Sequence, residues 1–313
     1  MTTIPASPSR RRLLATGGAL LGSALLPGVA LAAEARAGDA WQAVLLPQAR
    51  QRDLASSITG GQYRIFVSVP DIPAPAAGHP VLYALDGNAS FPLLAQMART
   101  AARRARATGQ AAPVIVGIGY PTDDDYHPAR GRDYTPPTAG APATDGGADR
   151  FLDFIEQELK PLVRSLAPID PARQALYGHS YGGLCTLHAL FTRPAMFQTW
   201  LAASPSIWYR ERAVLAGLEG FDRRVAALAA KPSVLLCAGE LEQPTNGGAG
   251  AAPGSRDAIA AQRRMIDEAR DLSVKLATMK GTVARAQFML FPGENHGSAA
   301  FPAMARGMEF FLG

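Results

Sequence analysis

The sequence predicts an α/β fold: one mostly parallel sheet flanked by helices, forming a single domain. Three observations predict it. Short continuous apolar runs at 79–85, 114–120 and 233–238 alternate with longer amphipathic segments, the pattern of strands buried on both faces and joined by crossover helices. A glycine-bracketed serine, in Gly178-His179-Ser180-Tyr181-Gly182, falls where one such run gives way to a helical pattern. Apolar residues make up 48% of the 313 and charged residues 18%, which supplies a large core and excludes a disordered chain.

The first element in chain order is a leader. Ser9-Arg10-Arg11-Arg12-Leu13-Leu14 opens an uncharged Ala/Leu/Gly-rich run, and Ala30-Leu31-Ala32 offers the small-x-small pattern that a signal peptidase cuts. This matches a twin-arginine export signal, so residues 1–32 are expected to be removed, leaving 33–313 as the catalytic domain of a periplasmic protein. Glycines and a proline dilute the run and argue against a membrane anchor. Without the three leader arginines the net charge of +5 falls to about +2. No basic stripe with interleaved aromatics remains, which excludes a nucleic-acid partner. The two cysteines, Cys185 and Cys237, lie in apolar runs of a chain expected to fold before export, and are read as unpaired buried thiols.

Residues 62–70 alternate as a half-buried strand. The run 79–85 is a second strand ending in Asp86-Gly87-Asn88, residues 92–106 read as a helix, and 114–120 is a third strand. Residues 121–147, rich in Pro, Gly, Asp and Thr, form a connection long enough to be functional. A helix over 151–165, a strand over 174–177 and a helix over 182–192 follow. Three strand–helix pairs close the chain: 199–203 with 211–228, 233–238 with 256–271, and 286–291 with 298–312. The segment 244–254 reads as an insertion.

The pentapeptide around Ser180 is the G-x-S-x-G turn that lifts a nucleophile between a strand and a helix, as in α/β-hydrolases. Such a turn leaves no room for bulk two residues before and after the serine, a requirement Gly178 and Gly182 meet. The Tyr181 N–H, at the start of the following helix, is the expected first oxyanion donor. A serine hydroxyl needs a base, and histidine has the suitable pKa. His79 precedes a buried strand, His179 lies inside the turn, and His188 lies two helical turns beyond it. His127, in the long loop, is better placed to touch substrate than to activate a serine. His296 follows the last strand on a loop before the closing helix and is the expected base.

The acid should follow the preceding strand, where Glu240-Leu241-Glu242 stands. Glu242 is favoured and Glu240 is the alternative, with both as plain surface charges a third reading. The order Ser180, Glu242, His296 matches nucleophile, acid and base. The Asn88 backbone N–H, after the 79–85 strand, is the expected second oxyanion donor. That loop is not the His-Gly-Gly-Gly loop of lipases.

At these positions the sequence resembles the esterase D-type branch of the α/β-hydrolases, and within it the periplasmic trilactone siderophore esterases that cut enterobactin and salmochelin. The resemblance covers roughly residues 45–312. It rests on Tyr63-Arg64-Ile65-Phe66, Tyr83-Ala84-Leu85-Asp86-Gly87-Asn88, Gly117-Ile118-Gly119-Tyr120-Pro121, Arg132-Asp133-Tyr134-Thr135-Pro136-Pro137, the serine turn, Ser204-Pro205-Ser206-Ile207-Trp208 and Asn295-His296-Gly297. It implies a catecholate trilactone seated above Ser180, with Arg130 or Arg132 meeting catechol oxygens and Trp208 and Tyr209 stacking on the rings. It also implies an alternative in which Ser180 and His296 act as a dyad without an acid.

The expected function is a serine carboxylic-ester hydrolase acting on a small-molecule ester, with a ferric catecholate siderophore as the expected substrate, and with no metal or organic cofactor and no stable membrane insertion. The alternatives are an esterase or acyltransferase for feruloyl or acetylated sugar esters, and a non-catalytic periplasmic binder that keeps the pocket.

Overall fold

The computed structural model describes residue 41 and residues 43–313; the expected leader and its cleavage site lie outside them. Eight strands form one sheet: β1 (Ala49–Ala55), β2 (Gln62–Ser68), β3 (His79–Leu85), β4 (Val114–Gly119), β5 (Ile169–His179), β6 (Thr199–Ala203), β7 (Ser233–Gly239) and β8 (Arg285–Phe291). Their order is β1-β2-β4-β3-β5-β6-β7-β8. β2 runs antiparallel to β1 and β4, and every other pairing is parallel. The chain leaves β3 toward one edge, to β4, and leaves β5 toward the other, to β6. The crevice beyond the carboxyl ends of β3 and β5 is therefore a topological switch point, where open α/β sheets bind ligands.

The central strands read as unbroken apolar runs because each feeds two cores. Val81, Tyr83 and Leu85 enter one layer with Leu176, Trp200, Val234 and Leu236. Leu82 and Ala84 enter the other with Ala175, Tyr177, Leu201 and Leu235. The alternation follows from the two-residue period of a strand.

Ten helices accompany the sheet among the described residues: α1 (Gly87–Thr108), α2 (Arg130–Tyr134), α3 (Ala148–Phe154), α4 (Lys160–Leu166), α5 (Tyr181–Thr192), α6 (Tyr209–Arg212), α7 (Phe221–Ala226), α8 (Arg256–Arg263), α9 (Met265–Thr278) and α10 (Ala300–Leu312). α1 and α10 pack on the second layer through Phe91, Leu94, Met304 and Phe311. α3, α4, α5 and α9 pack on the first.

Four differences from expectation have a local cause. α1 starts five residues before 92, because the Asp86 carbonyl accepts from Ala89 and Ser90 N–H and opens a turn ahead of Pro92. The 151–165 helix contains a π turn, Ile155–Leu159, just before Pro161, whose ring nitrogen has no N–H to give. The single helix expected at 211–228 is broken by positive φ at Arg210, Glu211, Arg212 and Gly220. The helix expected at 256–271 is split at Arg264, φ 49°, which separates α8 from α9.

The long connection after β4 is ordered around Asp133. Tyr63 on β2 and Tyr120 at the end of β4 both donate their hydroxyls to Asp133 Oδ2, at 3.0 and 3.1 Å. The Tyr134 hydroxyl receives the Asp86 N–H at 3.0 Å. α2 is thereby fixed over the crevice.

Candidate active site

Ser180 joins β5 to α5 with φ 59° and ψ −117°, a sparsely populated positive-φ conformation that costs a non-glycine residue of order 1–3 kcal/mol. Packing around the turn imposes it. A Cβ on Gly178 would lie 2.1 Å from the Gly182 carbonyl oxygen, and one on Gly183 would lie 2.9 Å from the Ala203 oxygen. Gly182 has more room than expected, since a Cβ there would meet its nearest atom, Asp86 Oδ2, at 3.4 Å. The glycines under steric demand are thus Gly178 and Gly183. The strained turn presents the serine hydroxyl above the sheet, and Tyr181 N–H opens the first turn of α5, where backbone donors have no intrahelical partner.

His296, on the loop between β8 and α10, approaches Ser180 Oγ to 3.0 Å with Nε2. Its Nδ1 lies 2.7 Å from Glu242 Oε2. A carboxylate at Nδ1 accepts its N–H, which leaves Nε2 to accept the serine proton. Glu242 ends a short 3₁₀ turn, Glu240–Glu242, directly after β7. Its side chain is 1% exposed, and its other oxygen accepts from Ser204 Oγ and Gly239 N–H, each at 2.6 Å. Burial alone would raise its pKa. The bonds from His296, Ser204 and Gly239 outweigh burial and hold it below the usual glutamate range. Glu240 points outward instead and receives Gly293 N–H.

Two supporting residues carried no sequence signal for their role. Ser204 sits at the end of β6 with φ 42°, and its hydroxyl fills a lone pair of Glu242. The His179 ring lies against that of His296, tilted by 39° with centroids 4.7 Å apart, and its Nε2–H donates to the His296 carbonyl at 2.8 Å. Burial, and then the neighbouring His296, push its pKa down to about 4, so it is neutral at physiological pH. The other three histidines bond elsewhere: His79 to the Ala112 carbonyl, His188 to Asp149, and His127 to Ala129 N–H while stacked on Tyr120. His127, expected near substrate, is not in the cleft wall.

Ser180 and His296 open into a cleft of about 840 Å³ that also exposes Tyr181, Trp208 and Arg130. Arg130 forms a two-pronged bond to Asp86, at 2.8 and 2.9 Å, and lies among the Tyr126, Tyr134 and Tyr181 rings. Burial works against its charge, and the Asp86 carboxylate more than offsets that. Two expected substrate contacts fall outside the cleft wall. Arg132 is drawn to Asp133 at 2.8 Å. Tyr209 is buried, with its hydroxyl on Asp145. Asn88 uses its side-chain amide to bridge Tyr120 and Thr122, tying the end of β3 to the end of β4. Its backbone N–H stays in the first turn of α1, on the Asp86 loop that borders Gly182. Cys185 and Cys237 are buried and free. Among the described residues, no cluster of three or more His, Cys, Asp or Glu side chains is placed to hold a metal.

Comparison with known proteins identifies the family. Residues 56–269 match the model of the Esterase family. The ferri-bacillibactin esterase BesA of Bacillus subtilis is 36% identical over 88% of this chain and 93% of its own length. The siderophore triacetylfusarinine C esterase of Aspergillus fumigatus is 38% identical over 88% of this chain and 97% of its own. Among solved structures, the BES protein from Bacillus cereus superposes with a TM-score of 0.75 at 31% identity, covering 87% of this chain and 98% of that one. By sequence, by sheet order and by the serine turn at the head of β5, the chain belongs to the Esterase family and has the α/β-hydrolase fold.

Proposed function

We propose that this protein is a serine esterase that hydrolyses the trilactone backbone of a catecholate siderophore after export through the twin-arginine route to the periplasm. The observation that carries the chemistry is the continuous chain from Ser180 Oγ to His296 at 3.0 Å and on to Glu242 at 2.7 Å, open to a wide cleft. The relatives that act on ferri-bacillibactin and triacetylfusarinine C support the substrate class. The Arg10-Arg11 leader supports the location.

His296 Nε2 takes the Ser180 proton as Oγ attacks an ester carbonyl carbon, and the ionised Glu242 stabilises the imidazolium. The Tyr181 N–H and a donor from the first turn of α1, Asn88, hold the oxyanion. When the carbonyl re-forms, the ester C–O bond breaks and the leaving alcohol takes the proton from His296. Water repeats the sequence and frees Ser180. Arg130, Trp208 and the open cleft receive the substrate.

The test is incubation with ferric and iron-free enterobactin beside simple aryl esters, together with an active-site organophosphonate. Trilactone opening to linear fragments and labelling at Ser180 are the expected results. Activity on aryl esters alone would end the siderophore reading, and an unlabelled, inactive protein would mark a binder.

A further inference from the structure

One face of α8 is built for a ligand. Arg256, Ile259, Ala260 and Arg263 all line the cleft, and their spacing places them in one row along the helix. α8 buries no residue, so this row is not a core face. Among the described residues neither Arg256 nor Arg263 forms an ion pair or a hydrogen bond, whereas Arg130, Arg212, Arg264 and Arg270 are all paired. The Arg263 guanidinium lies 4.2 Å from the centre of the Trp208 ring, and Leu241 and Ile259 in the same wall are solvent-exposed. Among the described residues Glu242 is the only acidic one in the cleft wall, and both its oxygens are engaged, by His296, Ser204 and Gly239. The wall facing Ser180 therefore carries two uncompensated positive charges beside an indole and aliphatic groups.

We infer that α8 is the specificity-determining wall of the cleft, in which Arg256 and Arg263, with Trp208, bind the anionic aryl groups of the substrate. This rests on the siderophore-esterase reading and refines it. The planar guanidinium fork fits paired catechol oxygens, and Trp208 and Ile259 give the ring an apolar surface. Such charges act on capture more than on chemistry. The break at Arg264 sets α8 apart from α9, so that its row turns toward the cleft.

The test uses the full chain with Arg256→Gln, Arg263→Gln and the double change, all compatible with a helix. Three substrates are compared: trianionic ferric enterobactin, an uncharged ferric trihydroxamate triester and 4-nitrophenyl acetate. Each single change should lower kcat/KM for ferric enterobactin about tenfold, through KM, and flatten its salt dependence. Rates on the two uncharged esters should stay within about twofold of wild type. Equal losses on all three substrates, or no loss on the anionic one, would overturn the inference. Should the wild-type protein leave ferric enterobactin intact, the siderophore reading fails, and a matched pair of aryl esters, one sulfonated and one neutral, decides the role of α8. Selective loss on the sulfonated ester sustains that role, and parallel rates overturn it.

Discussion

The two walls of the cleft are made in opposite ways. On the sheet side, Ser180, Glu242 and His296 stand at the ends of β5, β7 and β8, with Glu242 almost wholly buried and saturated by three hydrogen bonds. On the α8 side no helix residue is buried, Ile259 is 40% exposed and two arginines make no ion pair or hydrogen bond among the described residues. The reacting groups are held by the same packing that holds the fold. The recognising groups are held by almost none of it, so the fold tolerates changes there that it would not tolerate a few ångströms away.

The largest expected effect breaks the sheet wall at its centre. Ser180→Ala should lower kcat by about 10⁶-fold, on the scale of other serine hydrolases, with folding intact by circular dichroism. Ordinary residual turnover would place the nucleophile elsewhere. Next, Glu242→Gln should cost about 10⁴-fold in kcat with little change in KM, because an amide oxygen does not stabilise the imidazolium and favours the wrong tautomer. A loss under tenfold would show that Ser180 and His296 work as a dyad.

Two glycine substitutions sharpen the comparison within one turn. Gly178→Ala should destabilise the protein by about 3 kcal/mol or more in urea unfolding, since its Cβ collides with the Gly182 carbonyl. Gly182→Ala, in the first turn of α5, should fall within about 1 kcal/mol of wild type. Equal costs would refute the assignment of steric demand to Gly178.

The smallest effect concerns His179. It is neutral in the folded chain, with a pKa near 4 against an ordinary 6.5, so on acidification the unfolded chain takes up the proton first. Its contribution to stability is complete above pH 6.5 and declines as pH falls from there to about 4. His179→Gln should lose that part of the acid slope while keeping a side-chain donor for the His296 carbonyl, and its kcat should fall by less than tenfold. An unchanged pH profile of stability would mean that His179 takes up its proton at the same pH in the folded and unfolded chains.

Much of the site was legible because chain order reflects sheet order. The serine turn after β5, a carboxylate after β7 and a histidine after β8 are spaced by the strands that deliver them, and the strands announce themselves as apolar runs. What the pattern left open was which carboxylate turns inward; one 3₁₀ turn sends Glu242 in and Glu240 out. Ser204 and His179 were not legible as partners, since their roles exist only where β6 and the His296 loop meet in space. Arg132 and Tyr209 were expected at the substrate from the resemblance alone. Asp133 and Asp145 hold their polar atoms instead. The break at Arg264 escaped because no glycine or proline marks it.

Tyr63 and Tyr120 close on a single oxygen of Asp133, and this joins the segment bearing Arg130 to two neighbouring strands at once. A laboratory selecting variants for new substrates should therefore find hits at Tyr63, on the second strand from the sheet edge, where no docking pose would nominate a position. Removing one phenol oxygen there would loosen a guanidinium on the far side of the loop, and altered substrate preference would be inherited from a residue that never meets the substrate.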